Sequence, residues 1–241
     1  MTLRNIRLFR CLCFAAILKA ILLFADAAVA GPPLICHSFA IGNAKSLPLA
    51  SHWNLTGSEN YDTKNLAADT LAILQPDTPV LVRMETLRRA TLYARKDPVA
   101  AKELLARLHA RATSADSAGK PDALAWFDAG YLVETYKQWI GANLPHMTDG
   151  MRMDANPATG VDGYALVKKA IAVRGDDAEM EFAAALITLS GPQSEHAQHA
   201  QKAIAGAKTD ALLAQNLATH FLGPKDQTVS DMLAKNSTSR D

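Results

Sequence analysis

Cysteine is scarce in this chain of 241 residues: there are three, and two of them, Cys11 and Cys13, fall within the first thirty positions. The remainder keeps Cys36 alone, which excludes an internal disulfide framework and leaves stability to packing. An excess of one charge is missing too, since 25 Lys and Arg meet 24 Asp and Glu, and after residue 30 the balance is 21 against 23, a net charge of −2. Without a dense basic stripe there is no footprint for neutralising phosphates, so nucleic acid is excluded as a partner. Strand-like alternation of β-branched residues is nearly absent, which argues against a sheet. Gly42 to Ser46 (GNAKS) lacks the first glycine, the preceding strand and the Gly before Lys that a phosphate loop requires. The sequence holds no complete catalytic constellation, and no cofactor is implied.

Long apolar runs are also lacking, with one exception. Arg4, Arg7 and Arg10 precede a mostly apolar stretch from 11 to 25, and Ala28-Val29-Ala30 stands before Gly31. This order predicts a signal peptide over 1–30 and therefore an exported protein, periplasmic or extracellular. The run falls short of the roughly 20 apolar residues that span a bilayer, and Lys19 interrupts it. No stable membrane span is expected after cleavage; a retained anchor is the alternative. Asn54-Leu55-Thr56 has the form of a glycosylation acceptor.

Residues 31–61 are rich in Pro, Gly, Ser and Asn without helical period and read as an extended N-terminal arm. From 62 to 222 apolar residues recur three or four apart in about eight segments, from TKNLAADTLAILQ to ALLAQNLATHFL. That period predicts an all-α domain of helix hairpins. Thr78-Pro79, Asp97-Pro98, Pro121 and Pro192 mark helix starts, and Asp176-Asp177-Ala178-Glu179 has the spacing of a capping box. A long insertion occupies 141–160, and a polar tail follows from 223 to 241.

Trp126, then Ala129-Gly130, then Val133 follow the first helix of a tetratricopeptide repeat, where small residues admit the next helix. LVKKAIAVRGDDAEMEFAAALI resembles a second helix, a turn and the next first helix. The chain thus resembles a degenerate tetratricopeptide-like protein over roughly half of its length after residue 30. Gly175 stands where the closing proline would be, and Glu181 and Thr188 occupy aromatic positions. The resemblance implies a short stack of hairpins that binds other polypeptides and transfers no catalytic residue; a non-repeating bundle is the other arrangement the pattern allows.

The candidate partner-binding set is charged and aromatic residues inside otherwise apolar helices: Arg83, Glu85, Arg88, Arg89, Trp126, Asp128, Tyr131 and Glu134. Glu85 meets Arg88 and Arg89 at helical spacing, and Arg with aromatics is the chemistry of binding hot spots. The plainer reading is a solvated face with ion pairs between helices. Tyr136 and Trp139 extend the aromatic surface. The expected function is a non-enzymatic module binding a protein segment or envelope component in a groove.

Two rivals remain. A metal-handling protein would use His146, Met147, Met151 and Met153, with Asp149 and Asp154, in the insertion, because thioether and imidazole suit soft metals. His196 and His199 stand one turn apart but are too few to hold zinc alone. An enzyme of hydrolase type would use Cys36 with His37, or a carboxylate pair drawn from Glu85, Asp128, Glu134 and Glu181. Cys36 alternatively packs as a small hydrophobe or links two chains in a dimer.

Overall fold

The computed structural model describes residues 32–50, 57–138 and 155–221. The expected signal peptide, Asn54, Trp139, the ligands proposed at 146–154 and the tail from 223 lie outside the described residues. Among the described residues the structure is all-helical, without strands: α1 Leu66–Ile73, α2 Val80–Ala94, α3 Pro98–Ser117, α4 Ala123–Lys137, α5 Gly163–Arg174, α6 Ala178–Ile187, α7 Gln193–Gly206 and α8 Ala211–Phe221. None of these is long and apolar enough to cross a membrane.

The helix starts follow from short acidic side chains that accept the free backbone donors of a first turn. Asp97 accepts from Val99 and Ala100, Asp122 from Ala125, Asp162 from Ala165, Asp177 from Met180, and Asp210 from Leu212 and Leu213. Two starts differ from the sequence expectation. Thr78 does not cap α2; its hydroxyl donates to Ile73 O at 2.6 Å and closes the end of α1, while Pro79 occupies the cap position of α2. Glu179 does not complete a capping box on α6, because its carboxylate accepts from Leu81 N at 2.9 Å and so satisfies the start of α2 from a distant element.

Helices adjacent in sequence pack on one another, and α2 also packs on α4 and α6. In α2, 14 of 15 residues are buried, and in α4, 13 of 15. A helix covered on every side cannot show the one-faced pattern of a surface helix, which is why charges and apolar residues mix in both. At the crossing of α4 and α5 the backbones nearly touch: a Cβ at Gly130 would lie 2.6 Å from Gly163 O, and one at Gly163 2.5 Å from Gly130 O.

The described parts of the arm, 32–50 and 57–61, have neither helix nor strand, yet Leu34, Ile35, Phe39 and Leu47 are 0–3% exposed and belong to the core. Each such side chain contributes about 1.5–3 kcal/mol by leaving water.

Candidate functional site

Glu85, Arg88 and Arg89 come together on α2, where Arg88 Nε and Arg89 Nε each lie 2.7 Å from the Glu85 carboxylate. What they face is the chain's own N-terminal segment. Arg88 donates to Ile35 O at 2.9 Å and to Ser38 Oγ at 2.7 Å, Arg89 donates to Leu47 O at 2.6 Å, and Glu85 accepts from Phe39 N at 3.0 Å. Asn216 of α8 completes the grip, accepting from Ala40 N at 2.8 Å and donating to Ala40 O at 2.9 Å. Nearly all of these contacts reach main-chain atoms, which satisfies the backbone of a buried segment that has no secondary structure. Glu85 and Arg88 are 0–1% exposed. Binding chemistry is present here, and the occupant is residues 35–47.

Arg83 and Asp128 form a second buried pair at 2.6 Å. Arg83 also donates to Thr78 O at 3.0 Å and to Gln75 O, tying the turn before α2. Burial pushes the Asp128 carboxyl up to about 7 against the pull of Arg83. Trp126 is buried, donating to Asp116 at 2.9 Å with Lys169 Nζ 3.7 Å above its ring. Tyr131 is fully buried, and burial raises its hydroxyl well above the ordinary range. Glu134 accepts from Lys137 at 2.8 Å and from Tyr164 N at 2.9 Å, so it serves the start of α5. The eight candidates therefore do not form one site: Glu85, Arg88 and Arg89 face the N-terminal segment, Arg83 pairs with Asp128, Trp126 and Glu134 make separate contacts to neighbouring helices, and Tyr131 is buried.

The remaining candidates separate as well. Cys36 is 8% exposed and its thiol is raised by burial, against a smaller pull from Arg88, which works against a thiolate nucleophile. The His37 ring meets His220 edge-on at 5.9 Å. His196 turns Nδ1 to Ala185 O, whereas His199 turns Nδ1 to Glu181, so the two imidazoles serve different partners. The four carboxylates are each held by their own cation: Glu85 by Arg88 and Arg89, Asp128 by Arg83, Glu134 by Lys137, Glu181 by Lys202. No group of three or more metal-ligating side chains is placed to hold a metal ion among the described residues.

A different surface is open. Along α3 runs a groove of about 1330 Å³, lined among others by the apolar Val99, Ala106, Ala110, Val133 and Val161 and by the polar Lys102, Glu103 and His109. Val99 is 77% exposed, and Ala106 and Ala110, one turn apart, are exposed too. The opposite face of α3, with Ala101, Leu104, Leu108 and Ala112, is fully buried. Sequence reasoning missed this face because alanine fits core and surface equally well; the signal was that Val99, Ala106 and Ala110 keep helical spacing off the leucine stripe. No family model, curated protein or solved structure matches this chain.

Proposed function

We propose that this protein is an exported, non-enzymatic helical module, a short tetratricopeptide-like stack, that binds an amphipathic helical segment of another polypeptide in the groove along α3. The exposed Val99–Ala106–Ala110 line carries the reading. Apolar side chains at this spacing in a concave surface are what helix-in-groove recognition uses, and small residues let a second helix approach to about 8 Å. Lys102, Glu103 and His109 in the lining give the partner's apolar stripe polar groups of both signs to pair with at its flanks. The signal-peptide pattern of 1–30 supports export, and of the residues first suggested for binding Glu85, Arg88 and Arg89 are engaged by the chain's own segment while Arg83, Asp128, Trp126 and Glu134 are engaged by neighbouring helices, which favours α3.

The test is capture from the envelope fraction followed by binding with the purified partner, comparing wild type with an Ala106→Arg/Ala110→Arg variant that retains its helical circular dichroism. Binding should fall at least tenfold in the variant. A partner held equally by both proteins, or no partner for either, would reject the groove.

A further inference from the structure

Away from α3, the grip of α2 and α8 holds residues 35–47 as a binding site holds a ligand. Between Pro32 and Pro48 the backbone hydrogen bonds inside the segment are local turns, from Ile35 N and Cys36 N to Pro32 O and from Ala44 N to Ile41 O. Its other contacts reach elements far along the chain. Leu34 N donates to Gln138, just after α4, at 2.9 Å, and Ser46 Oγ meets Thr86 Oγ1 of α2 at 3.0 Å. Glu85, Arg88, Arg89 and Asn216 hold the stretch between them. Leu34, Ile35, Phe39 and Leu47 fill four core positions, and the Phe39 ring stacks on His220 of α8 at 4.5 Å.

One atom marks where this segment joins the rest of the chain. The Tyr93 hydroxyl, near the end of α2, donates to Pro48 O at 2.7 Å and accepts from Ser58 N at 2.9 Å, so the chain leaves and returns at the same oxygen. Nine residues, 49–57, lie between those two anchors. A stretch of that length spans at most about 30 Å when extended, which is enough to carry the segment to a neighbouring molecule. A segment from an unrelated protein would have to displace a tethered arm and match four buried side chains as well as the backbone pattern. A second copy of this chain supplies the same side chains and the same backbone. Exchange between copies therefore loses no contact; it trades the return of nine residues for an association.

We propose that two copies of this chain exchange their N-terminal segments, each laying residues 34–48 into the grip of the other's α2 and α8. The pair is two-fold symmetric, because the same site receives and the same segment is given in both directions. Tyr93 of each copy then holds Ser58 of its own chain and Pro48 of the other. Cys36 takes no covalent part, since it is buried within the seated segment. The exchange is independent of the groove along α3, so either reading can fail without the other.

The test places a disulfide across the grip of the full chain. Ser46→Cys/Thr86→Cys, with the three native cysteines replaced by Ala, puts two thiols where two hydroxyls now touch, within reach of an S–S bond. After oxidation by air, the protein is denatured and run on a gel without reductant. Exchanged copies run as a covalent pair, whereas a chain that holds its own segment runs as a cross-linked single chain. The expected result is a shift of the cross-linked band from the mass of one chain to that of two. Cross-linked single chains at every protein concentration would overturn the exchange. A second measurement needs no variant: isotope-labelled and unlabelled wild-type chains are mixed unfolded and refolded together. Magnetic resonance contacts between Phe39 of the labelled chains and His220 of the unlabelled ones are expected, and their absence would reject the proposal.

Discussion

At the scale of single residues, Arg88 concentrates the most chemistry. It is 1% exposed, pairs with Glu85 and donates to Ile35 O and Ser38. Removing one member of a buried ion pair leaves the other charge without compensation, which costs about 3–5 kcal/mol, whereas replacing both by apolar groups of similar size is often close to neutral. Arg88→Ala is therefore expected to destabilise by that amount in chemical denaturation. Glu85→Leu/Arg88→Met should recover part of the loss, limited by the main-chain groups of Ile35 and Phe39 that both side chains satisfy. A double variant worse than the sum of its singles would contradict this account. The sequence made the pair itself legible, since three- and four-residue spacing on a helix allows little else. What the pair faces was not legible: Ile35 and Phe39 lie 53 and 46 positions before their partners, in a stretch with no period to reveal it.

At the scale of elements, the eight helices were readable because each has an apolar period and most begin at an acidic cap. The exceptions were long-range, as with Glu179, whose carboxylate turns away from its own helix to the start of α2. The crossing of α4 and α5 was half readable. Ala129-Gly130 signalled a close neighbour, but that the neighbour's contact is Gly163 follows only from the packing. Gly130→Ala would gain about 1 kcal/mol of helix propensity in isolation. Here the new Cβ would stand 2.6 Å from the Gly163 carbonyl oxygen, and a backbone atom cannot swing aside as a side-chain tip does. The net expectation is a loss of about 1–3 kcal/mol, typical of overpacking, measured as a lowered thermal midpoint with unchanged helical content at low temperature. A variant as stable as wild type would mean that the two helices separate freely at this point.

At the scale of the whole molecule, the arm is what the sequence rendered least well. Its composition of Pro, Gly, Ser and Asn is that of a surface segment, and it has no secondary structure, yet it fills the core with Leu34, Ile35, Phe39 and Leu47 while α2 and α8 satisfy its backbone. Composition reports the lack of regular hydrogen bonding; it does not report burial, because side chains of distant helices can replace a ladder. The four apolar side chains together contribute roughly 6–12 kcal/mol at 1.5–3 each, comparable to the whole stability of a domain at about 5–15 kcal/mol. Deleting residues 31–50 would also leave Glu85, Arg88 and Asn216 without their main-chain partners. The truncated chain is expected to lose its cooperative unfolding transition, followed by circular dichroism against denaturant. Val99→Ser, on the open face of α3, should move that transition by no more than about 0.5 kcal/mol, as surface changes do. A truncated chain that still unfolds cooperatively near the wild-type midpoint would show that the helices stand without the arm. The main-chain grip of Glu85, Arg88, Arg89 and Asn216 would then be a free site for an extended segment rather than part of the core.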